Sequence, residues 1–362
     1  IEWPLVGVAR FKDPLQADRA LVEGHCDHVG IVRGQIADAD FVAKARAGAT
    51  DDIRLCLSCN QECVGRMGLN RWLGCIENPR TGRESLGVGL VQTGRSRRDV
   101  MVVGGGPAGL QAAIAAARNG HRVTVYEKEQ QAGGQVRLAA SVPNRAEFGD
   151  LVRNQLTECR RLGVTINYGV GVWPGLVDEK RPHHVIVAMG ADASRPWWAP
   201  VEAEQVVDVR DVLEGRAHPH GDVVVIDEIG FHHATSVAEL LADRDCRVEV
   251  VTNGMVVGQD LGITLDMENW WMRAEAKGIV QSTDLVPMGI EGRTLNLLHH
   301  PTGVMQQRSP DFVVLAVPAQ PVEWLYHDLK ARGISVERVG DCVAPRRAHA
   351  AVVEGERAGA AV

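Results

Sequence analysis

Short apolar runs alternate with amphipathic segments along most of the chain, and this alternation predicts an α/β fold. A strand covered on both faces of a parallel sheet is a continuous apolar run, whereas a surface helix shows a period near 3.6. The pattern predicts strands at 99–104, 122–126, 164–168, 185–190, 222–226, 247–252 and 312–317, and helices at 110–120, 151–162, 236–243, 268–278 and 349–361. Two βαβ sheets of nucleotide-binding type are therefore expected after residue 98.

Residues 1–50 show a different pattern, that of two βα units from a (β/α)8 barrel. Strands are predicted at 4–9 and 28–32, with helices from Pro14, capped by Asp13, and at 38–47. Two units cannot close a barrel, which takes eight strands and about 250 residues. The segment is therefore the tail of a barrel or a pair of units packed on something else. Since the chain opens at Ile1 in mid-pattern, we expect that upstream sequence is absent.

An arginine follows each of these first two strands. Arg10 and Arg33 would lie at the carboxyl ends of barrel strands, where cofactor phosphates commonly bind. The two arginines are candidates for a shared phosphate, and the alternative is that both are ordinary surface residues.

Composition limits the class of protein. The 362 residues are 45% hydrophobic and 23% charged, as in globular proteins of two or three domains. A net charge of −7 without a Lys/Arg-rich run gives no support to nucleic-acid binding. The apolar runs are too short to span a membrane, and no secretory signal is visible. Clustered cysteines indicate a reducing compartment, so a cytoplasmic location is expected.

Four of the eight cysteines lie within twenty residues. Cys56, Cys59, Cys63 and Cys75 have the spacing C-x2-C-x3-C-x11-C, with glycines among them. Thiolates on one tight loop can hold an inorganic centre, and we expect a [4Fe–4S] cluster. Structural zinc is an alternative, although zinc ribbons usually use two separated C-x-x-C knuckles. Disulfides or reduced thiols remain a further alternative.

A dinucleotide fingerprint follows a linker at 81–98. Between a strand and a helix stands G-x-G-x-x-G, and the next strand ends at an acidic residue, Glu127. The three glycines serve the tight turn, the approach of a pyrophosphate and helix packing, while the carboxylate accepts from ribose hydroxyls. The predicted binding residues of the loop are Gly104, Gly105, Gly106, Pro107, Ala108 and Gly109.

Further residues are expected to complete this nucleotide site. Gly134 and Gln135 belong to Gly133-Gly134-Gln135, whose glycine pair can approach a nucleotide closely, and Gly190 ends a buried strand suited to pass beneath the cofactor. Gly340 and Asp341 precede the last helix, where they are suited to the ribityl and phosphate part of a flavin.

The second βαβ unit, from Asp222, has lost the fingerprint. Asp227 and Glu228 would repel a pyrophosphate, and Phe231, His232 and His233 would block its approach. A retained scaffold without NAD(P) is expected here. The two histidines are expected to have packing or surface roles rather than to bind a metal.

The order of these segments resembles the trimethylamine dehydrogenase and 2,4-dienoyl-CoA reductase family, the iron–sulfur branch of the old yellow enzymes. The resemblance covers essentially the whole chain. The motifs that carry it are Val29-Gly-Ile-Val-Arg33 with Ile36-Ala-Asp38, Cys56-Leu-Ser-Cys59-Asn-Gln-Glu-Cys63, Cys75 with Asn78-Pro79, Gly104 to Gly109, Ala188-Met-Gly190 and Gly340-Asp341.

The resemblance implies a division of the chain. Residues 1–50 would be the C-terminal end of a TIM barrel on its FMN phosphate side, and 51–98 the iron–sulfur segment and linker. Residues 99–220 and 311–362 would form an FAD- or ADP-binding domain, interrupted by a degenerate NAD(P)-type domain at 221–310.

The resemblance also implies an activity. FMN, with its phosphate at Arg10 and Arg33, would exchange electrons with a [4Fe–4S] centre, while FAD or ADP binds the nucleotide domain. Loss of the second glycine loop favours oxidative demethylation of an N-methylated amine or amino acid. Electrons would pass to a partner protein, an electron-transfer flavoprotein or ferredoxin-like subunit, and an oligomer is expected.

Two other functions remain open. One is an NAD(P)H-dependent enoyl or dienoyl reductase, and the other is an electron-transfer subunit without a substrate site. No catalytic residue is named, because acids and bases would lie on barrel strands upstream of Ile1.

Overall fold

The computed structural model describes residues 3–8, 10–91 and 96–362. Three predictions fall in part outside the described residues: the chain start at Ile1, the end of the first strand at Ala9, and residues 92–95 of the predicted linker. Within the described ranges, no helix combines the length and the apolar character needed to cross a membrane.

The strands are β1 Val6–Gly7, β2 His28–Val29, β3 Asp99–Val103, β4 Arg122–Glu127, β5 Thr165–Tyr168, β6 His184–Val187, β7 Ala191–Asp192, β8 Val206–Asp208, β9 Asp222–Asp227, β10 Arg247–Thr252, β11 Val280–Ser282, β12 Leu285–Glu291, β13 Thr294–His299, β14 Val304–Arg308, β15 Phe312–Ala316, β16 Gln320–Pro321 and β17 Val336–Arg338.

The α-helices are α1 Pro14–Val22, α2 Arg33–Ala37, α3 Phe41–Arg46, α4 Val64–Gly68, α5 Pro107–Arg118, α6 Gln135–Ala140, α7 Asp150–Arg161, α8 Pro174–Lys180, α9 Val209–Leu213, α10 His232–Ala242, α11 Leu261–Thr264, α12 Met267–Ala276, α13 Trp324–Ala331 and α14 Ala348–Ala361.

The chain forms two compact units. The first contains residues 1–137, 147–191 and 321–362, and the second contains 138–146 and 192–320. The second unit is therefore inserted along the chain between parts of the first.

The first unit is built on a five-stranded parallel sheet in the order β17-β6-β3-β4-β5. Val103 of β3 lies opposite both Tyr126 of β4 and Val187 of β6, so three strands end side by side. Helix α14 packs closely on α5, because Gly355 and Gly359 lie against backbone carbonyls of α5 where a Cβ would collide. This sheet edge is where the predicted nucleotide residues are placed.

The first fifty residues contain less regular structure than the sequence predicts. Strands β1 and β2 pair in parallel but have only two residues each. Helix α1 starts as predicted, since the Asp13 carboxylate accepts from the Leu15 backbone N–H at 2.9 Å. The single helix predicted at 38–47 is wrong, because the Asp38 carboxylate binds the backbone N–H groups of Asp40 and Arg54. Asp38 therefore ends α2, and a separate helix α3 follows.

The second unit repeats the parallel sheet, in the order β11-β10-β9-β15-β8. The predicted strand 247–252 is confirmed in full as β10. An antiparallel sheet β12-β13-β14, which sequence analysis missed, also lies in this unit. Leu295 and Leu297 of β13 are fully buried in its core, with the polar residue Asn296 between them.

Candidate nucleotide site and cysteine pocket

The fingerprint loop lies at the carboxyl end of β3, and its glycines differ in their surroundings. Gly104 has φ +107°, a conformation that favours glycine, and a Cβ there would collide with the Ala188 carbonyl oxygen. A Cβ on Gly109 would collide with the Gly104 carbonyl oxygen, whereas a Cβ on Gly106 would meet no atom within 4 Å. The loop is thus closed on its protein side and open at Gly106, where a pyrophosphate can approach.

Glu127 lies directly beside this loop. Its buried carboxylate accepts from the Gly105 backbone N–H at 2.7 Å and from the Glu129 N–H at 2.8 Å. Because β3 and β4 end together, the acidic end of β4 reaches the fingerprint. This position suits the ribose contact that the motif predicts.

The other predicted nucleotide residues follow the same sheet edge. Gln135 donates to the Asp341 carboxylate at 3.0 Å, which joins two segments 206 residues apart. A Cβ on Gly134 would lie 3.5 Å from the Gly106 Cα, so Gly134 faces the open side of the fingerprint.

Gly340 and Gly190 adopt left-handed backbone at this edge. Gly340 has φ +71° and packs against Ala108, where a Cβ would come within 2.8 Å of the Ala108 Cβ. Gly190 has φ +77° and accepts from the Val322 N–H at 3.0 Å. It comes two residues after Ala188, whose carbonyl faces Gly104. The structure therefore brings the loop together with Glu127, Gly134, Gln135 and the Gly340-Asp341 pair.

All four cysteines of the predicted cluster line one pocket. Its wall also contains apolar side chains, one cation, one amide and two carboxyl groups: Ile36, Leu57, Ile76, Arg33, Asn60, Glu62 and Glu77. Ser58 and Asn60, on either side of Cys59, have positive φ angles of 57° and 55°, so the loop turns sharply around the pocket. Within the described residues, no group of three or more His, Cys, Asp or Glu side chains is arranged to hold a single metal ion.

The electrostatics of the pocket act on the thiols in opposite directions. Burial raises the pKa of Cys56, while the Ser58 backbone N–H, 3.4 Å from its Sγ, and the charge of Arg33 favour the thiolate. Burial also raises the pKa of Cys75, against backbone N–H groups of Asn78 and Glu77. Backbone hydrogen bonds to sulfur are among the means by which proteins tune iron–sulfur centres.

The two arginines predicted to share a phosphate have different partners. Arg33 begins α2 and donates from Nη1 to the Asn60 side-chain oxygen at 2.8 Å, at the cysteine pocket. Arg10 is half exposed and pairs with Glu147 at 3.1 Å. A phosphate at Arg10 would therefore compete with the Glu147 carboxylate.

The degenerate turn of the second unit contains its own anion. Asp227, at the end of β9, is fully buried, and its carboxylate accepts from the backbone N–H groups of Ile229, Gly230 and Gly258 at 3.2, 2.8 and 3.1 Å. Burial raises the pKa of Asp227, while these three N–H groups oppose that rise. Side-chain oxygens thus bind backbone groups that a dinucleotide phosphate would use in an intact fingerprint.

Of the two histidines of this turn, His232 contacts an aromatic ring and a carboxylate, and His233 lies at the surface. His232 starts α10 beside the Phe231 ring, with centroids 4.3 Å apart, and its Nε2 lies 3.4 Å from the Asp266 carboxylate. His233 is exposed.

Sequence analysis missed several residues that surround the cysteine segment. Arg54, Glu77 and Glu158 form buried or half-buried hydrogen bonds there. The sequence does contain a signal for two of them: Arg54 lies two residues before the first cysteine of the segment, and Glu77 lies two residues after the last. No local pattern points to Glu158, which is 104 residues from Arg54.

Comparison with known proteins places these features in context. Residues 99–148 match the family model described as FAD dependent oxidoreductase. N,N-dimethylglycine/sarcosine dehydrogenase of Chromohalobacter salexigens is 32% identical, over 99% of this chain and 57% of that protein. NADH oxidase of Thermoanaerobacter brockii is also 32% identical, over 94% of this chain and 52% of its own length.

A solved structure is also similar to this chain over nearly its whole length. The 6-hydroxypseudooxynicotine amine oxidase of Pseudomonas geniculata N1 has a TM-score of 0.93 and 28% identity, covering 99% of this chain and 56% of that chain. The comparisons point to an oxidoreductase. The chain spans about half the length of the relatives it matches.

Proposed function

We propose that this chain is part of a flavin- and iron–sulfur-dependent oxidoreductase that demethylates an N-methylated amine or amino acid. The complete enzyme would oxidise its substrate at FMN and pass electrons through a [4Fe–4S] cluster to a partner protein. The resemblance in motifs and the identity to a dimethylglycine/sarcosine dehydrogenase support this proposal.

The first unit would hold FAD, or ADP in its place. The open Gly106 face and the α5 N-terminus would receive the pyrophosphate, and Glu127 the ribose hydroxyls. Asp341, held by Gln135 at 3.0 Å, would accept hydrogen bonds from the ribityl hydroxyls. The fit rests on the empty space beside Gly106, since the neighbouring glycines of the loop already contact protein.

The four cysteines would hold the cluster. Their common pocket and the backbone N–H groups that face Cys56 and Cys75 support this assignment. A four-iron cubane needs its thiolates further apart than a single metal ion does, so a cluster is compatible with the finding that no described group of three or more side chains is arranged for a single ion. When bound, flavin and cluster supply two-electron and one-electron transfer, respectively.

The phosphate of FMN is proposed to bind Arg10 and Arg33, and the barrel that would complete the FMN and substrate sites is proposed to belong to the complete protein. A cytoplasmic location, an oligomeric state and an electron-transfer flavoprotein or ferredoxin-like acceptor are parts of the same proposal.

The observation that carries the choice of electron partner is the hydrogen bonding of Asp227. Because its carboxylate binds two backbone N–H groups of the second nucleotide turn, those of Ile229 and Gly230, and the N–H of Gly258 after β10, a dinucleotide phosphate would meet a buried anion there. Burying two anions together is costly. This arrangement favours export of electrons to a protein over exchange with a nicotinamide.

A second candidate is an NAD(P)H-dependent reductase, favoured by the 32% identity to an NADH oxidase. Anaerobic stopped-flow spectroscopy of the complete enzyme separates the two. We expect N,N-dimethylglycine or sarcosine to bleach the flavin absorbance near 450 nm, and NADPH or NADH to leave it unchanged on the same time scale. Rapid bleaching by a reduced nicotinamide, with none by the amines, would establish the reductase instead.

Flavin extraction tests the third possibility, an electron-transfer subunit. We expect the acid extract of the complete enzyme to contain FMN, with FAD or ADP in addition. An extract with FAD and no FMN would support the electron-transfer subunit and contradict the proposed amine oxidation.

A further inference from the structure

Arg54 joins the two ends of the cysteine segment. It lies two residues before Cys56, and its Nη1 donates at 2.6 Å to the main-chain oxygen of Glu77, two residues after Cys75. The loop that carries the four thiols is therefore closed by one guanidinium, and whatever fixes that guanidinium fixes both ends of the loop.

Glu158 on α7 is the carboxylate that holds Arg54. Its Oε2 accepts from Arg54 Nε at 2.9 Å and from Nη2, a two-bonded fork. Its Oε1 accepts a second fork from Arg118 of α5, with Nε at 3.0 Å. Burial alone would raise the pKa of Glu158, but the charges of Arg54 and Arg118 outweigh it and lower that pKa to about 2. The carboxylate is thus an anion shared between the cysteine segment and the nucleotide fold.

One turn earlier on α7, Asn154 contacts the other end of the loop. Its side-chain N–H donates at 3.0 Å to the Glu77 carboxylate, which is almost fully buried. Helix α7 therefore reaches residue 54 through Glu158 and residue 77 through Asn154, four residues apart on one helix face.

The same helix also contacts the fingerprint loop. Gln155 donates to the Pro107 carbonyl oxygen at 3.0 Å and to Gln111 at 3.3 Å. Gln111 donates to Glu356 at 2.6 Å, and Glu356 lies 3.5 Å from Arg118. A continuous polar network thus connects both ends of the cysteine segment to the loop predicted to bind pyrophosphate.

We propose that Glu158 is a positioning residue for the iron–sulfur centre, which acts through Arg54 to fix both ends of the cysteine loop against the nucleotide fold. This inference rests on the proposed function, because it assumes a cluster on the four cysteines. Partners beyond the ligands orient a metal site and tune it, and their loss commonly weakens metal retention. Loss of Glu158 would remove the one carboxylate that accepts forks from both guanidiniums, leaving Arg54 beside Glu77 at 4.0 Å and Arg118 beside Glu356 at 3.5 Å.

The test compares Glu158→Gln with a matched control in the other unit. Glu239 is a buried carboxylate of the second unit that accepts a similar fork from Arg273, at 2.9 and 3.0 Å. Glu239→Gln therefore reproduces the loss of a forked ion pair. Both variants of the complete enzyme are examined by iron release to a chelator, by the electron paramagnetic resonance spectrum of the reduced cluster, and by thermal unfolding.

We expect Glu158→Gln to lose iron about tenfold faster than the unmodified enzyme and to show altered g-values. Glu239→Gln should lower the unfolding temperature while its cluster spectrum and iron release stay unchanged. If both variants release iron at the unmodified rate with the unmodified spectrum, Glu158 does not position the centre.

Arg54→Lys provides a second variant in case Glu158→Gln does not fold. Lysine keeps the positive charge beside Glu158 but loses the planar fork. The cluster spectrum should therefore change, with a smaller loss of stability than in Glu158→Gln. An unchanged spectrum in Arg54→Lys would overturn the proposal. If the unmodified enzyme itself contains no iron, the cluster assignment fails, which is a result distinct from failure of the positioning role.

Discussion

At the residue scale, the fingerprint glycines make separable contributions to stability and to binding. At Gly109 the Gly104 carbonyl oxygen leaves no room for a side chain. At Gly106 a Cβ would meet no protein atom within 4 Å. Both have backbone angles open to alanine, since neither has a positive φ. A single added methyl group therefore probes protein packing at one position and the ligand face at the other.

Gly109→Ala is expected to destabilise the fold, since its Cβ forces helix α5 away from β3, at a cost of about 1–3 kcal/mol. Gly106→Ala should leave the unfolding temperature of the nucleotide-free protein unchanged and weaken nucleotide affinity by about tenfold, or 1.4 kcal/mol. Thermal unfolding and equilibrium dialysis with FAD and ADP measure the two effects. Equal affinity in Gly106→Ala would mean that the pyrophosphate does not approach this face.

The cysteine pocket gives a second prediction at this scale. Cys59→Ala removes one of the four proposed thiolate ligands, so the broad visible absorbance and the bound iron should both be lost. Cys246→Ser is the control: that buried thiol lies in the second unit, with its Sγ 3.4 Å from the Pro219 carbonyl oxygen. Zinc at one equivalent per chain in the unmodified protein, with no iron, would favour the structural zinc site instead.

At the element scale, the strands could be predicted because burial on both faces makes them continuous apolar runs. β10 is the clearest case. The start of α10 was predicted less well: the hydrophobic pattern predicts a helix from Ser236, but α10 begins at His232. The Asp227 carboxylate accepts from the backbone N–H groups of Ile229 and Gly230 in the turn before α10, a local hydrogen-bonding pattern that hydrophobic periodicity does not record.

The candidate site divides in the same way. The nucleotide loop, Glu127 and the four cysteines have spacings set by local chemistry, so the sequence alone predicts them as site residues. Arg54 and Glu158 meet only in the folded chain, across 104 residues, so no motif contains both. The split of the predicted helix 38–47 has a similar origin, because Asp38 bonds to the N–H of Arg54.

The ion pairs of Glu158 on α7 predict a pH dependence of stability. The pKa of this carboxyl is lowered from 4.5 to about 2 in the folded protein. A lowered pKa contributes stability above the unfolded value, and that contribution is lost as the pH falls through the folded value. We therefore expect the unfolding temperature to fall between about pH 4.5 and 2, and to fall less steeply in Glu158→Gln. Parallel curves for the two proteins would show that Glu158 is not strongly paired.

At the whole-molecule scale, two units of the same sheet type are expected to differ in what they bind. The first has a loop that is open at Gly106, and the second has a loop already bound by Asp227. Shared topology therefore does not imply shared ligands, and the difference lies in a few residues at the carboxyl ends of β3 and β9.

Hydrogen exchange with nucleotides distinguishes the two units directly. A ligand at 100 times its dissociation constant adds about 2.7 kcal/mol to the stability of the state that binds it. With FAD or ADP, we expect slower exchange in peptides from β3, α5 and β4, and no change in peptides that contain Gly230 or Gly258. NADPH should leave the peptides that contain Gly230 or Gly258 unprotected, because Asp227 already accepts from those N–H groups. Protection of the Gly230 peptide by NADPH would mean that Asp227 gives way to a phosphate, and the reductase would then become the better proposal.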